Sequence, residues 1–273
     1  MQLPALCLAF LLLASVKIHA ACSQTVLVPA APAGKFVIAN EQTHEVSGVY
    51  PKLLRQSSKR VGCTFKFEIV PRARMANMFQ TGEGQLIIPE SQTPEKDRLG
   101  EFVPLFYSTP LIISARPELH LSSIDDILKH PQLRVNIVRS YDWGEAYRKA
   151  IDRLRKAGMV EDVIDAAVIA KKMDADRADI TIMSAHILYG NVQTLGLDTT
   201  LGKRLRYIRS NDFEPIPSGV YLSNSLPATD RAQLKIMLQQ WLNSQALWRE
   251  FQATLPPDGL MSLTPLQAQH RPN

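Results

Sequence analysis

Little in this chain of 273 residues points to covalent chemistry. There are three cysteines and no glycine-rich phosphate loop, which leaves nucleotide-dependent group transfer without its usual cradle. Beyond His19, the histidines at His44, His120, His130, His186 and His270 follow no metal-ligand spacing, so neither a metal nor a cofactor is expected. Charge of one sign is also in short supply. Lys and Arg exceed Asp and Glu by only five, a mild balance that does not call for a nucleic-acid partner. No segment beyond Val16 is apolar enough to span a bilayer, and low-complexity tracts and short-period repeats are missing.

The one long apolar run is Leu3–Val16, followed by small residues at Ala20 and Ala21. It is short for a membrane span and reads as a secretory signal over 1–21, cleaved near Ala20 or Ala21, although no early Lys or Arg precedes it. His19 stands where a lipidation signal wants Leu, which argues against a lipidated Cys22. An exported, periplasmic protein would meet oxidising conditions. Cys22 lies three residues before the apolar run at 25–28, and Cys63 two before FKFEIV at 65–70. If those runs are neighbouring parallel strands, a Cys22–Cys63 disulfide is expected, with two unrelated thiols as the alternative.

The most informative stretch is Phe65–Ile113. A strand, FKFEIV, meets Pro71, whose missing N–H suits an early helical turn; Met75, Met78 and Phe79 then recur at helical spacing. Gly82 and Gly84 stop that helix and QLII begins another strand, ending in the polar loop SQTPEKDR. Polar groups at the carboxyl end of a parallel strand sit where open α/β sheets bind small ligands. A second such unit runs through DVIDAAV (162–168) to ITIM (180–183). Between them RVNIV predicts a strand, and Trp143, Ala146, Tyr147, Ala150, Ile151 and Leu154 a helix capped by Ser140 or Asp142, with Glu145 completing a capping box and Gly158 ending it. Leu234, Met237, Leu238, Trp241 and Leu242 form a late helical stripe with Thr229 or Asp230 as cap, and Leu247, Trp248 and Phe251 another. Turn formers dominate after Pro256, where a mobile tail is expected. Alternating strands and helices make this an α/β protein with mostly parallel sheets.

Several motifs resemble the type 2 periplasmic solute-binding fold, and specifically the amino-acid-binding branch of the substrate-binding proteins of ABC transporters. The segment V46-S-G-V-Y-P-K-L-L54 resembles the family's G-F-D-x-D-L entry, with Tyr50 and Lys52 in place of both acids. F79-Q-T-G-E-G-Q85 is similar to L-x-x-G-x-x-D without its Asp. S91-Q-T-P-E-K96, followed by Phe102, resembles S-x-T-x-E-R, the strongest match. The resemblance implies two lobes joined by two crossing strands: lobe 1 over 22–110 and 213–255, lobe 2 over 111–212, and a tail at 256–273.

It also implies ligand contacts. Ser91 and Lys96 take the positions that hold a ligand α-carboxylate, although Lys lacks the two-pronged geometry of Arg and Arg98 is a substitute. Tyr141 and Asp142 take the helix N-terminus of the second lobe, and Ser184 the place of the acid that would hold an α-amine. In VPRAR (70–74) either Arg72 or Arg74 faces the cleft, and Arg74 is preferred. Trp143 and Tyr147 read as core rather than ligand platform. The expected protein is not an enzyme. It is a monomer that captures a small polar or zwitterionic solute and hands it to a membrane permease or a sensor. The alternatives are a dehydratase-like periplasmic enzyme using Glu90 or Asp142, and a sensing or partner-binding protein with a degenerate cleft.

Overall fold

A computed structural model describes residues 21–266. Residues 1–20, which hold nearly all of the expected signal, and 267–273, with His270, lie outside the described residues. The first strand, β1 (Val26–Ala30), leads through the small hairpin β2 (Ile38–Asn40) and β3 (Glu45–Ser47) into α1 (Val49–Val61). That helix stops at Gly62, whose left-handed φ of 67° turns its N–H back to the Ser58 carbonyl. The chain continues through β4 (Phe65–Ile69), α2 (Arg72–Gln80), β5 (Leu86–Ser91), the short α3 (Pro94–Asp97) and β6 (Gly100–Ser108). On α2 the buried side chains are Met75, Met78 and Phe79, the stripe expected from their spacing.

At Thr109 and Pro110 the chain crosses into a second body with its own core, built from Leu111 to Phe213. Its elements are β7 (Leu111–Ser114), α4 (Ile124–Leu128), β8 (Val135–Val138), α5 (Gly144–Lys156), β9 (Val160–Val163), α6 (Ala166–Asp174), β10 (Ile180–Met183) and α7 (Ala185–Thr194). A π-turn at Asp198–Gly202 and β11 (Arg206–Ile208) complete it. The strand order is β11-β7-β10-β8-β9, with β8 parallel to both β9 and β10. Asp179, just before β10, is buried against Arg116 and Arg134 and closes the base of this sheet. Burial alone would raise its carboxyl pKa, but the hydrogen bonds from Arg134 and Arg116 outweigh it and hold the group below its ordinary range.

The chain then returns as β12 (Ile216–Ser223), which inserts antiparallel between β5 and β6. Parallel pairing holds within the βαβ units, while the strands that carry the chain between the two bodies pair antiparallel. Two helices, α8 (Ala228–Asn243) and α9 (Ala246–Thr254), bury Leu234, Met237, Leu238, Trp241, Leu247 and Phe251 on the first body. Trp241 satisfies its indole N–H on Ser57 at 2.8 Å. Three expectations need correcting. Neither Thr229 nor Asp230 caps α8; the buried Asp230 instead accepts from the backbone and hydroxyl of Ser23 and ties down the start of β1. α5 begins after Trp143, which makes no capping hydrogen bond; Asp142 accepts from the helix's first N–H, at Gly144, but Glu145 pairs with Lys149 rather than closing a capping box, and Ala146 is exposed. The turn-rich segment after Pro256 also has structure of its own: α10 (Pro257–Leu260) and β13 (Leu263–Pro265), which pairs with β6.

β1 and β4 pair in parallel with Val26 opposite Phe65, which brings Cys22 and Cys63 together as a disulfide with a Cα separation of 4.7 Å. The bridge spans 41 residues, a loop whose closure removes about 4 kcal/mol of unfolded-chain entropy. The double variant Cys22→Ser, Cys63→Ser is expected to unfold with about 2–4 kcal/mol less stability in urea. Equal stability, with thiol titration finding both cysteines free in the parent protein, would refute the bridge.

Candidate functional site

Size does not select the site. A groove of about 890 Å³ between β6, α8 and α9 is lined by Trp241, Leu242, Leu247, Trp248 and other residues, none of them charged. A much smaller cavity, about 40 Å³, is the one where polar groups of both bodies converge. Its first wall comes from α2, β5, β6 and β12, through Arg72, Glu90, Ser91, Phe106, Ser108 and Ser218. Its second wall comes from the β8–α5 turn and the start of α7, through Tyr141, Asp142, Trp143, Ser184 and His186. Ser91 and Ser218 face each other in register across β5 and β12.

Charge in the cavity is tightly paired. Glu90 is only 3% exposed and carries two cations: Arg72 Nη2 lies 2.8 Å from one carboxylate oxygen and Lys96 Nζ 2.8 Å from the other. Arg72 also donates to the Pro89 carbonyl at 3.1 Å and lies over the Tyr141 ring at 5.4 Å, so it reaches from one body to the other. Such a cation–π contact is worth about 0.5–2 kcal/mol. Burial pushes the Tyr141 hydroxyl up to about 12, which keeps it a neutral donor. Asp142 accepts from the Gly144 N–H at 2.8 Å and pairs with Arg148 at 2.6 Å.

The two bodies meet closely on a second front. Phe36, after β1, stacks on the His186 ring at 4.2 Å and on Phe251 at 4.2 Å. His186 is 3% exposed, and neither ring nitrogen has a hydrogen-bond partner. Burial drives its pKa down to about 3, so the ring is a neutral donor and acceptor at ordinary pH. Beside it, backbone touches backbone: a Cβ on Gly190 would fall 2.5 Å from the Lys35 nitrogen, and one on Gly34 (φ 58°) would fall 2.5 Å from the His186 oxygen. The Ser108 and Ser184 hydroxyls share a hydrogen bond, and Ser262 accepts from the Ala185 N–H at 2.9 Å.

No known protein-family model matches the sequence, and no curated protein matches it. Solved structures do. A histidine kinase sensor domain with similarity to periplasmic binding proteins superposes with a TM-score of 0.67 at 13% identity, over 85% of this chain and 96% of that one. The arginine-, lysine-, histidine-binding protein ArtJ of the thermophilic bacterium Geobacillus stearothermophilus gives 0.68 at 15% identity, over 86% and 97%. This chain has the type 2 periplasmic binding protein fold. A third neighbour on the same fold is an ancestral amino acid-binding protein described as a precursor of cyclohexadienyl dehydratase, with a TM-score of 0.64, 15% identity and 84% and 94% coverage. Among the described residues no helix is long and apolar enough to cross a membrane, and no group of three or more His, Cys, Asp or Glu could hold a metal.

On this binding-protein fold, Ser91, Tyr141, Asp142 and Ser184 come together in one cavity. Lys96 stands behind Glu90 and reaches the cavity through it. Arg74 and Arg98 do not join them. Arg74 is exposed and pairs with Glu83, and Arg98 is exposed at the end of α3, where its carbonyl accepts from Asn224. Of the two arginines considered, it is Arg72 and not the preferred Arg74 that lines this cavity. Trp143 is both core and lining, with its indole N–H on the Ser108 hydroxyl at 3.4 Å. His186 was missed because a lone histidine after β10 carries no spacing signal.

Two predictions follow from the contact between the bodies. The unfolded chain protonates His186 near 6.5 and the folded chain near 3, so the stability this neutral ring confers is full above about pH 6.5. It is lost as pH falls towards 3, with a slope of up to about 1.4 kcal/mol per pH unit. His186→Phe should therefore flatten the decline of melting temperature between about pH 6.5 and 4; an unchanged slope would contradict the burial. Gly190→Ala should cost about 1–3 kcal/mol by overpacking and enlarge the radius of gyration in solution scattering, because the opposing atoms are main chain. Unchanged size and stability would show that the bodies do not meet there.

Proposed function

We propose that this protein is a periplasmic solute-binding protein that captures a small polar or zwitterionic, amino-acid-like solute between its lobes and delivers it to an ABC-type permease. The single observation that carries the reading is the cavity shared by both walls, where Arg72, Ser91, Tyr141, Asp142, Ser184 and His186 converge. Lobe 1 takes 22–110 and 213–255, with β13 added to its sheet, and lobe 2 takes 111–212. The crossings at 109–110 and 209–215 serve as the hinge, and closure buries ligand and polar groups together. The disulfide and the leader-like Leu3–Val16 run support export. The protein works as a monomer, without nucleic acid.

Two further readings have a specific observation behind them. A histidine kinase sensor domain shares the fold, which favours a sensor that reads the closed form. A dehydratase precursor shares it as well, and Glu90 is the carboxylate an enzyme would use. Glu90 is, however, bound to two cations, a poor state for a group that must exchange protons.

A thermal-shift screen over amino acids, polyamines, organic acids and small peptides tests the proposal, because ligand binding to the native state raises the melting temperature. Saturable stabilisation without turnover is expected; product formation would establish an enzyme, and no response to any small molecule would refute solute binding. With a hit in hand, Arg72→Ala should weaken affinity about tenfold or more by calorimetry, while Arg74→Ala and Arg98→Ala stay within about twofold. Equal losses in all three would misplace the site.

A further inference from the structure

Among the residues lining the cavity the cation is Arg72, and it already faces an anion of the protein itself. Arg72 and Lys96 both reach the buried Glu90, one on each carboxylate oxygen at 2.8 Å. On the facing wall Asp142 is matched by Arg148 and by the Gly144 N–H. The second cation on Glu90, Lys96, does not line the cavity, and the lining polar side chains other than Arg72, Glu90 and Asp142 are uncharged. His186, 97% buried and with two unpartnered ring nitrogens, lines the cavity together with Ser91 and Ser218. His186 stays uncharged because burial holds its pKa at about 3.

We propose that Glu90 is a built-in counter-anion that fills the cationic subsite of the cleft, so that the solute bound there is an uncharged hydrogen-bonding molecule of the amide or hydroxyl class and not a carboxylate. The proposal rests on the solute-binding reading and takes the polar alternative of its ligand class over the zwitterionic one. A solute carboxylate at Arg72 would have to share that guanidinium with Glu90 and lie beside a like charge, which disfavours its ionised form. A neutral imidazole offers one donor and one acceptor, and each serine hydroxyl offers both, which complements an amide or an alcohol. The free volume of about 40 Å³ is room for a group on the order of three waters in size.

Acetate and acetamide have the same shape and differ in charge, so they separate the possibilities. Wild type, Glu90→Ala and Glu90→Gln are melted with sodium acetate, acetamide or glycine at about 100 mM, against sodium chloride at matched ionic strength. Removing the carboxylate should open an anion site. Acetate is expected to raise the melting temperature of Glu90→Ala saturably, by about 3 °C or more, and to leave wild type within about 1 °C of the salt control. Glu90→Gln, which fills the same volume without charge, should respond less than Glu90→Ala. Stabilisation of wild type by acetate or glycine beyond acetamide would overturn the proposal, as would a folded Glu90→Ala with no preference for acetate. Should Glu90→Ala fail to fold, the wild-type comparison decides alone. A wild type that responds to nothing in the broad screen removes the solute-binding reading; the acetate response of Glu90→Ala still reads the counter-anion.

Discussion

A carboxylate sealed inside a protein must have cations against it, and the position of Glu90 sets terms for everything around it. Arg72 has to stand at the first residue of α2, and Lys96 in the short helix after β5, for both to reach the two oxygens. Three successive elements of the first lobe are thereby held to one point. Loss of both cations would leave a buried charge uncompensated, at a cost of about 3–5 kcal/mol, whereas the intact triad is weak evidence of added stability. What the triad secures is geometry. Arg72 is oriented by Glu90 and Pro89, and so presents its face to Tyr141 across the cleft.

The contact between lobes combines this polar bridge with a steric one. Glycines at 34 and 190 let main chain approach main chain, and Phe36 lies between His186 of one lobe and Phe251 of the other. A side chain at either glycine would wedge the surfaces apart, and a charged ring at 186 would have no solvent or partner to stabilise it. The segment after Pro256 adds a strut, since Ser262 holds the first N–H of α7 while β13 completes the edge beside β6.

Periodicity was enough to read the βαβ units: the buried stripe of α2, the strands at 65–69 and 180–183, and the matching offsets of Cys22 and Cys63. Those features depend on local spacing, which a linear sequence displays. The convergence of Ser91, Tyr141, Asp142 and Ser184 on one cavity was legible, because strand ends and helix starts define it. The site was less legible where orientation decides. Arg72 and Arg74 differ by two residues, and only the packing of α2 turns one towards Tyr141 and the other to Glu83 in solvent. Arg72 precedes Met75 by three and Phe79 by seven, so it borders the buried stripe, and that spacing was the available clue. The burial of Glu90 depends on two cations from other elements, and no local pattern displays it.

Lobe order along the chain has a consequence for how the protein is made. The five strands of lobe 2 lie in one continuous stretch, so its sheet is complete once residue 208 has been synthesised and its core once Phe213 has. Lobe 1 starts first and finishes last: its sheet awaits β12 and β13, and Ser23 awaits Asp230, 207 residues later. Chains are built from the N-terminus, so β1 and β4 wait through most of synthesis with half of their surroundings missing. The Cys22–Cys63 bridge lies just before the paired strands β1 and β4 and needs nothing beyond residue 69. Once the chain meets oxidising conditions, the disulfide clamps the βαβ unit that begins lobe 1 and holds its register while the C-terminal strands are away.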